Sequence, residues 1–149
     1  LSLSKKIKKK FKKIDLILAP AIGGIVIGYE IGRLLKIETI FAERVKGKFK
    51  LRRGFNIERN SKVLIIEDVI TTGGSSLECS ELVKQSKAKL LGFASLINRS
   101  EKKSLKIKSK PIISQLKIKV PVFKKKNIPY TLKQIPITTP GSRFLKWLD

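Results

Sequence analysis

The sequence of 149 residues predicts an α/β domain with an open, mostly parallel sheet flanked by helices. Val63–Ile66 is a short run of β-favouring apolar residues, typical of a strand buried on both faces of a parallel sheet. A loop of small residues and a helix start follow this strand directly. Other apolar segments bring the expected number of strands to at least four, separated by helices or loops.

The N-terminal segment Leu1–Lys13 is rich in lysine, and its apolar residues Leu3, Ile7 and Phe11 lie about one helical turn apart. This spacing predicts an amphipathic helix with a narrow apolar face. A helix on a membrane surface would show the same pattern, but we favour a helix that packs on the sheet edge. Ile14–Ala19 then predicts the first strand of the core.

The middle of the chain alternates between helices and strands. Further elements are assigned by the same criteria: a helix at Ile25–Leu35, strands at Thr39–Glu43 and Leu91–Ile97, and a strand or short helix within Pro111–Val122. The basic segment Arg44–Gly54 has two interpretations. Alternation around Lys48–Leu51 indicates the edge of a β-hairpin, whereas the charge alone fits a solvated basic loop.

Two acids, Glu67 and Asp68, follow the Val63–Ile66 strand, and Thr71–Ser76 consists entirely of small residues. Ser75 and Glu78 have the spacing of a capping box, which predicts a helix start. A helix N-terminus with glycines and hydroxyls favours a bound phosphate. Carboxylates repel phosphate but accept hydrogen bonds from hydroxyls, so the pair suits a ribose diol. The pattern predicts a ribose-5-phosphate site; an ordinary strand–helix turn with a good cap is the alternative.

The composition narrows the possible functions. The formal net charge is +23, but the lysines are spread along the chain and no aromatic array accompanies them, so we expect no specific nucleic-acid partner. Without histidine and with one cysteine, Cys79, the chain gives no basis for a transition-metal site. We interpret Cys79 as a packing residue in a reducing compartment, the cytoplasm, and we expect no membrane partner.

Glu67–Ser75 resembles the phosphoribosyl-diphosphate (PRPP) motif of the type I phosphoribosyltransferases. Other stretches narrow the resemblance to orotate phosphoribosyltransferase, and they are Pro20–Gly24, Phe41–Arg44, Leu51–Phe55, Ile97–Ser100 and Pro140–Arg143. The likeness extends from about Ile14 to Arg143. It implies a type I phosphoribosyltransferase-like fold and a reaction in which PRPP and orotate give orotidine 5′-phosphate and diphosphate, a step of pyrimidine synthesis.

The resemblance also implies roles for individual residues. The implied PRPP-binding residues are Glu67, Asp68, Val69, Ile70, Thr71, Thr72, Gly73, Gly74 and Ser75. Thr71 and Arg99 would hold orotate, and an arginine suits a carboxylate because its guanidinium can bond both oxygens. The loop Ala21, Ile22, Gly23 and Gly24 would bind the diphosphate through backbone N–H groups. Arg44 and Lys48 match the catalytic basic positions of a mobile loop that closes over the diphosphate.

The resemblance further implies Mg²⁺ as cofactor, held mainly by diphosphate and water, and a homodimer. We expect one phosphoribosyltransferase domain over residues 1–149, with a short or missing N-terminal hood over the base. Because the chain begins at Leu1 and lacks methionine, we expect a truncated N-terminus or an unusual start codon. Two alternatives share the fold: a phosphoribosyltransferase for purines, and a non-catalytic regulator that senses PRPP.

Overall fold

The computed structural model describes residues 2–101, 105–121, 123 and 125–136. The chain forms two compact units, Leu1–Lys119 and Val120–Asp149. The first unit contains the sheet and its helices. In the second, the described elements are a 3-10 turn at Lys125–Asn127 and the short helix α4 at Tyr130–Lys133. The Pro140–Arg143 stretch lies outside the described residues.

The sheet of the first unit has six strands in the order β3-β2-β1-β4-β5-β6. The strands are β1 Leu16–Pro20, β2 Thr39–Val45, β3 Lys48–Leu51, β4 Lys62–Ile70, β5 Lys89–Asn98 and β6 Ile112–Lys117. All neighbouring pairs are parallel except β2 and β3, which form an antiparallel hairpin. The predicted fold class is confirmed, and the apolar segment that begins at Pro111 contains a strand, β6.

Helices cover both faces of the sheet. They are α1 Leu3–Lys10, α2 Gly23–Leu35 and α3 Gly74–Gln85. Side chains alternate across each strand, so Leu64 and Ile66 of β4 pack with α1 and α2, while Val63 and Ile65 pack with α3. Each fully buried aliphatic side chain contributes about 1.5–3 kcal/mol to folding. The sheet is therefore fixed from both sides.

Helix α1 packs near the sheet edge, as predicted. Leu3 and Ile7 are buried, and the Lys6 ammonium donates hydrogen bonds of 3.0 and 2.9 Å to the carbonyls of Ser114 and Gln115 in β6. The alternative, a helix on a membrane surface, does not fit these contacts, because the apolar residues Leu3 and Ile7 are buried within the protein. Within the part of the chain that the structure describes, no helix is long and apolar enough to span a membrane.

The β2–β3 hairpin confirms the hairpin interpretation of the basic segment and contradicts the solvated loop. Lys46 and Gly47 connect the two strands, with φ angles of 48° and 80°. Positive φ at both central residues is the geometry of a type I′ turn, which matches the twist of a hairpin. Arg44 and Lys48 accordingly lie in paired strands joined by the turn at Lys46 and Gly47, and the closing of this segment over a diphosphate stays a prediction.

The strand order creates a crevice between β1 and β4. From β1 the chain continues to β2 on one side, whereas β4 and the strands after it lie on the other side. In open α/β sheets, ligands bind at such a switch point, outside the carboxyl ends of the strands. The loops after β1 and β4, Ala21–Gly24 and Thr71–Ser75, both belong to this edge.

Candidate active site

The first loop of the crevice joins β1 to α2. The Ala21 N–H donates a 2.8 Å hydrogen bond to the Ala42 carbonyl of β2, and the Ala21–Ile22 peptide bond is cis. Helix α2 starts at Gly23, which has no room for a side chain, because a Cβ there would collide with the Asp68 carboxylate. A Cβ on Gly24 would lie 2.9 Å from the Ile66 carbonyl oxygen. Both glycines therefore let the loop approach β4 closely.

Asp68 lies between this loop and β4. Its side chain is partly buried, and one carboxylate oxygen accepts a 2.7 Å hydrogen bond from the Val69 N–H. The collision predicted for a Cβ on Gly23 places this carboxylate at the N-terminus of α2. The partial positive charge of a helix N-terminus stabilises an adjacent carboxylate. Asp68 is thus held in place at the entrance of the crevice.

Glu67 has a different environment, which sequence reasoning missed. Strand β4 continues to Ile70, so the two acids lie inside the strand and their side chains point to opposite faces. Glu67 is only 8% exposed and accepts a 3.1 Å hydrogen bond from the Ser76 hydroxyl of α3. The sequence treated the two acids as one pair facing one diol, whereas in the structure Asp68 and Glu67 contact different helices; the ribose-binding role of each stays a prediction.

The second loop joins β4 to α3. Thr71 and Thr72 are exposed, and the Thr72 carbonyl accepts a 2.8 Å hydrogen bond from the Lys106 N–H. Gly73 is the N-cap, with φ of 77°, a conformation that favours glycine. The capping box predicted at Ser75 is wrong: the helix begins at Gly74, so Ser75 lies in its first turn. The loop still presents hydroxyls at a helix N-terminus.

Arg99 follows β5 and lies beside the second loop, as the parallel topology predicted. The backbone N–H of Arg99 donates a 2.8 Å hydrogen bond to the carbonyl of Ile70, the residue before Thr71. Asn98, aligned with Ile70 across the sheet, accepts a 2.8 Å hydrogen bond from the Ser100 N–H through its side chain. The Arg99 side chain is exposed at the carboxyl edge. The structure therefore brings Thr71 and Arg99 together.

Arg44 lies on the α3 face of the hairpin. Its guanidinium bonds both carboxylate oxygens of Glu78, at 2.8 and 3.2 Å, and the Gly47 carbonyl at 2.6 Å. It also lies 4.1 Å from the centre of the Phe49 ring, in cation–π contact. Lys48 is exposed at the start of β3. Arg44 is thus engaged with a helix and a ring rather than extended over the crevice.

A second arginine cluster of the hairpin had no predicted role. Arg52 and Arg53 both pair with Glu43, Arg52 at 3.4 Å, and the Arg53 guanidinium lies 5.9 Å from the centre of the Phe41 ring. Phe41 in turn packs edge-to-face against Phe55, with ring centres 5.0 Å apart. The sequence signal was the strand alternation, which places Phe41 and Glu43 on one face of β2.

Cys79 lies in α3, behind the second loop, and is buried. Burial raises the pKa of its thiol well above the ordinary range, and the nearby charges of Glu67 and Glu78 add to the effect. The thiol therefore stays protonated at neutral pH. Cys79 is a buried packing residue, as predicted.

The donor set of the crevice fits Mg²⁺. Within the described ranges, no group of three or more histidine, cysteine or acidic side chains could hold a metal ion by itself. Asp68 supplies a partly buried carboxylate next to the first loop. Mg²⁺ keeps several water ligands and needs only one or two carboxylates when substrate phosphates complete its shell.

Comparisons with known proteins agree with this geometry. Residues 2–134 match the phosphoribosyl transferase domain family. The orotate phosphoribosyltransferase of Thermoanaerobacter sp. (strain X514) is 41% identical over 143 residues, covering 94% of this chain and 74% of that relative. The enzyme of the same name from Erythrobacter litoralis (strain HTCC2594) is 41% identical over 145 residues, covering 96% and 74%.

Solved structures show the same fold. An adenine phosphoribosyltransferase from Thermoanaerobacter pseudethanolicus superimposes with a TM-score of 0.65 at 20% identity, covering 78% of this chain and 76% of that one. An orotate phosphoribosyltransferase from Aeropyrum pernix gives 0.62 at 14% identity, covering 78% and 68%. The sequence relatives identify the family more closely than these folds do: the chain belongs to the orotate phosphoribosyltransferases, within the phosphoribosyl transferase domain family.

Proposed function

We propose that this chain transfers the phosphoribosyl group of PRPP to orotate, giving orotidine 5′-phosphate and diphosphate in pyrimidine (UMP) biosynthesis. One observation carries the proposal. Two strand–loop–helix junctions, Ala21–Gly24 and Thr71–Ser75, share the carboxyl edge of the sheet, and Asp68 contacts the first of them. Two anion-binding loops with a diol acceptor next to one of them match a sugar that carries phosphate groups at both ends.

The 5-phosphate belongs to the second loop in this proposal. Backbone N–H groups at the start of α3 and the hydroxyls of Thr71, Thr72 and Ser75 donate to its oxygens. Gly73 allows the turn that aims these groups at one point. The remaining residues of the motif, Val69 and Ile70 at the end of β4 and Gly74 at the start of α3, contribute backbone shape rather than charged contacts.

The ribose hydroxyls belong chiefly to Asp68. Its partly buried carboxylate accepts hydrogen bonds from a neutral diol without the repulsion that a phosphate would meet. Glu67 supports this contact from the other face, because its bond to Ser76 fixes the first turn of α3 against β4. The proposed roles of the two acids are therefore unequal.

The diphosphate belongs to the first loop. Bond breaking at the ribose carbon leaves negative charge on this group, so positive potential that acts there lowers the barrier more than it stabilises the ground state. Mg²⁺, when bound, supplies part of that potential through the phosphate oxygens. Arg44 and Lys48 add to the positive field of the hairpin. No general base is assigned, because orotate is already ionised.

Orotate belongs beside Thr71 and Arg99. The guanidinium of Arg99 is exposed at the carboxyl edge, and its planar donors match a carboxylate in two parallel hydrogen bonds. The Thr71 hydroxyl lies on the next strand end and serves the ring. In this arrangement the ring nitrogen faces the ribose carbon from which diphosphate departs.

A homodimer and a cytoplasmic location complete the proposal. The homodimer is what the resemblance to the family implies, and the buried Cys79 is consistent with a reducing compartment. Size-exclusion chromatography with light scattering tests the dimer. A mass that stays at that of one chain across concentrations would contradict it.

The test of activity is the loss of orotate absorbance with PRPP and Mg²⁺, with adenine, guanine and hypoxanthine in parallel reactions. We expect turnover with orotate only. Turnover with a purine instead of orotate would show that the acceptor base is a purine. PRPP binding measured by calorimetry, without turnover of any base, would favour a PRPP-sensing regulator.

A further inference from the structure

The first loop has no cationic side chain for the group it is proposed to bind. Ala21–Gly24 offers backbone only, and the Ile22 side chain is apolar and 78% exposed. Asp68 adds a carboxylate at Gly23. A diphosphate in this loop would therefore meet a negative charge, and the balancing cation has to come from a neighbouring element.

The hairpin beside this loop carries arginines on both faces, with different charge balances. On the α3 face, the Arg44 guanidinium donates two hydrogen bonds to the Glu78 carboxylate. On the other face, two guanidinium groups share the single carboxylate of Glu43. The second cluster therefore retains one positive charge that its own acid does not neutralise.

This second cluster, formed by Glu43, Arg52 and Arg53 and called the Glu43 cluster below, lies on the same face and at the same edge of the sheet as the first loop. Phe41 of β2 is aligned with Ala19 of β1. Ala19 faces α2, since a Cβ added at Gly28 of that helix would lie 2.9 Å from the Ala19 Cβ. Glu43 follows Ala42, whose carbonyl accepts the Ala21 N–H. Neighbouring strands are about 4.8 Å apart, well within the reach of an arginine side chain.

Backbone geometry singles out Arg53 within the cluster. The turn Arg52–Phe55 is closed by a 3.0 Å hydrogen bond from the Phe55 N–H to the Arg52 carbonyl, with φ of 59° at Arg53 and 76° at Gly54. This is a type I′ turn, whose first central position favours asparagine, aspartate or glycine. An arginine in the left-handed region carries a conformational cost that its contacts must offset.

We propose that the Arg53 guanidinium binds the diphosphate group of PRPP in the Ala21–Gly24 loop. This inference rests on the proposed function. Glu43 and the Phe41 ring hold the guanidinium on β2, the strand next to this loop, and 64% of the Arg53 side chain is exposed. Its planar donors suit phosphate oxygens in paired hydrogen bonds. Arg44, which Glu78 neutralises, has the lesser part.

The test variant is Arg53→Asn, because it removes the cation and creates Asn-Gly, a sequence that type I′ turns favour. The control is Arg33→Gln, which removes an equally exposed arginine paired with Glu30 in the last turn of α2, about 15 Å along the helix from Gly23. Calorimetry with Mg²⁺ measures the binding of inorganic diphosphate and, separately, of orotidine 5′-phosphate, which lacks that group.

We expect Arg53→Asn to weaken diphosphate binding about ten- to a hundred-fold, the range for a lost charge-assisted hydrogen bond. Binding of orotidine 5′-phosphate should stay within about two-fold, and Arg33→Gln should change neither. Unchanged diphosphate affinity in Arg53→Asn would overturn the inference. Equal weakening of both ligands would overturn it too, because Arg53 would then act only on the fold.

The assay separates this inference from the proposed function. If the unaltered chain consumes orotate while Arg53→Asn binds diphosphate normally, the function stands and the role of Arg53 is wrong. If no base is consumed but Arg53→Asn alone loses diphosphate binding, the role of Arg53 stands and the reaction is wrong. An unaltered chain that binds no diphosphate would overturn both.

Discussion

The two junctions at the carboxyl edge share an architecture but are shaped by opposite means. Both pass from a buried strand through a short loop to a helix that begins with glycine, at Gly23 in α2 and Gly74 in α3. At Gly23 an added Cβ would collide with the Asp68 carboxylate. At Gly74 such a Cβ would meet the Thr72 hydroxyl oxygen at an ordinary contact distance of 3.6 Å.

The difference shows which features of each junction determine its shape. The first junction is defined by the absence of side chains, so its backbone can lie against β4 and leave the charge to neighbouring elements. The second is defined by its hydroxyls and by the turn at Gly73, and at Gly74 it has space for an added methyl group. A packed junction should therefore respond strongly to one added methyl group, and an open junction should respond weakly.

The largest expected effect separates the junctions directly. Gly23→Ala forces the loop or Asp68 to move, and we expect kcat/KM for PRPP to fall about a hundred-fold, as displacements near 1 Å do. Gly74→Ala is the matched control, with an expected change below about three-fold. Steady-state kinetics measures both. Similar losses in the two variants would remove the proposed contrast, and circular dichroism would show whether either variant had unfolded.

A smaller effect concerns the base beside the second junction. Arg99→Ala should raise the orotate KM about thirty-fold, because a carboxylate loses a paired hydrogen bond to guanidinium, and leave the PRPP KM within about two-fold. The control is Arg59→Ala, an exposed arginine that precedes β4 at the opposite edge of the sheet. If both KM values rise equally in Arg99→Ala, the arginine does not recognise the base.

The smallest expected effect distinguishes the role of Asp68 from that of Glu67. Asp68→Asn keeps the shape but removes the charge, so we expect PRPP to bind about ten-fold more weakly with little change in thermal stability. Glu67→Gln keeps an acceptor for Ser76 and should leave PRPP affinity within about three-fold. Calorimetry compares the pair. Equal losses of PRPP affinity in the two variants would mean that both carboxylates bind the ribose diol, as the sequence first indicated.

Much of the second junction was predictable from local pattern. The apolar run of β4, the small residues and the helix after them are adjacent in sequence, and Arg99 came from the rule that parallel strands end at one edge. The faces of Glu67 and Asp68 were missed because two acids were interpreted as the end of the strand. Strand β4 includes both, and period-two alternation then separates them.

The Glu43 cluster could not be predicted from composition. Its geometry depends on the register of β2 against β3 and on the turn at Arg53, and neither is encoded in a local apolar period. The same limit applied to Ser75. The S-x-x-E spacing is present, but Gly73 adopts the left-handed conformation and caps the helix first, and Glu78 pairs with Arg44 instead.

Lys6, the lysine of α1 that bonds β6, affects whether a strand of another molecule can add to the edge of the sheet. Successive carbonyls of a strand point to opposite sides, so one of the two that Lys6 binds belongs to the outer edge of β6. A carbonyl that already bonds a lysine ammonium is a weaker acceptor for a strand from another molecule. At the opposite edge, β3 exposes Lys48 and Lys50. Lysines at both open edges of the sheet thus protect it against strand addition and aggregation.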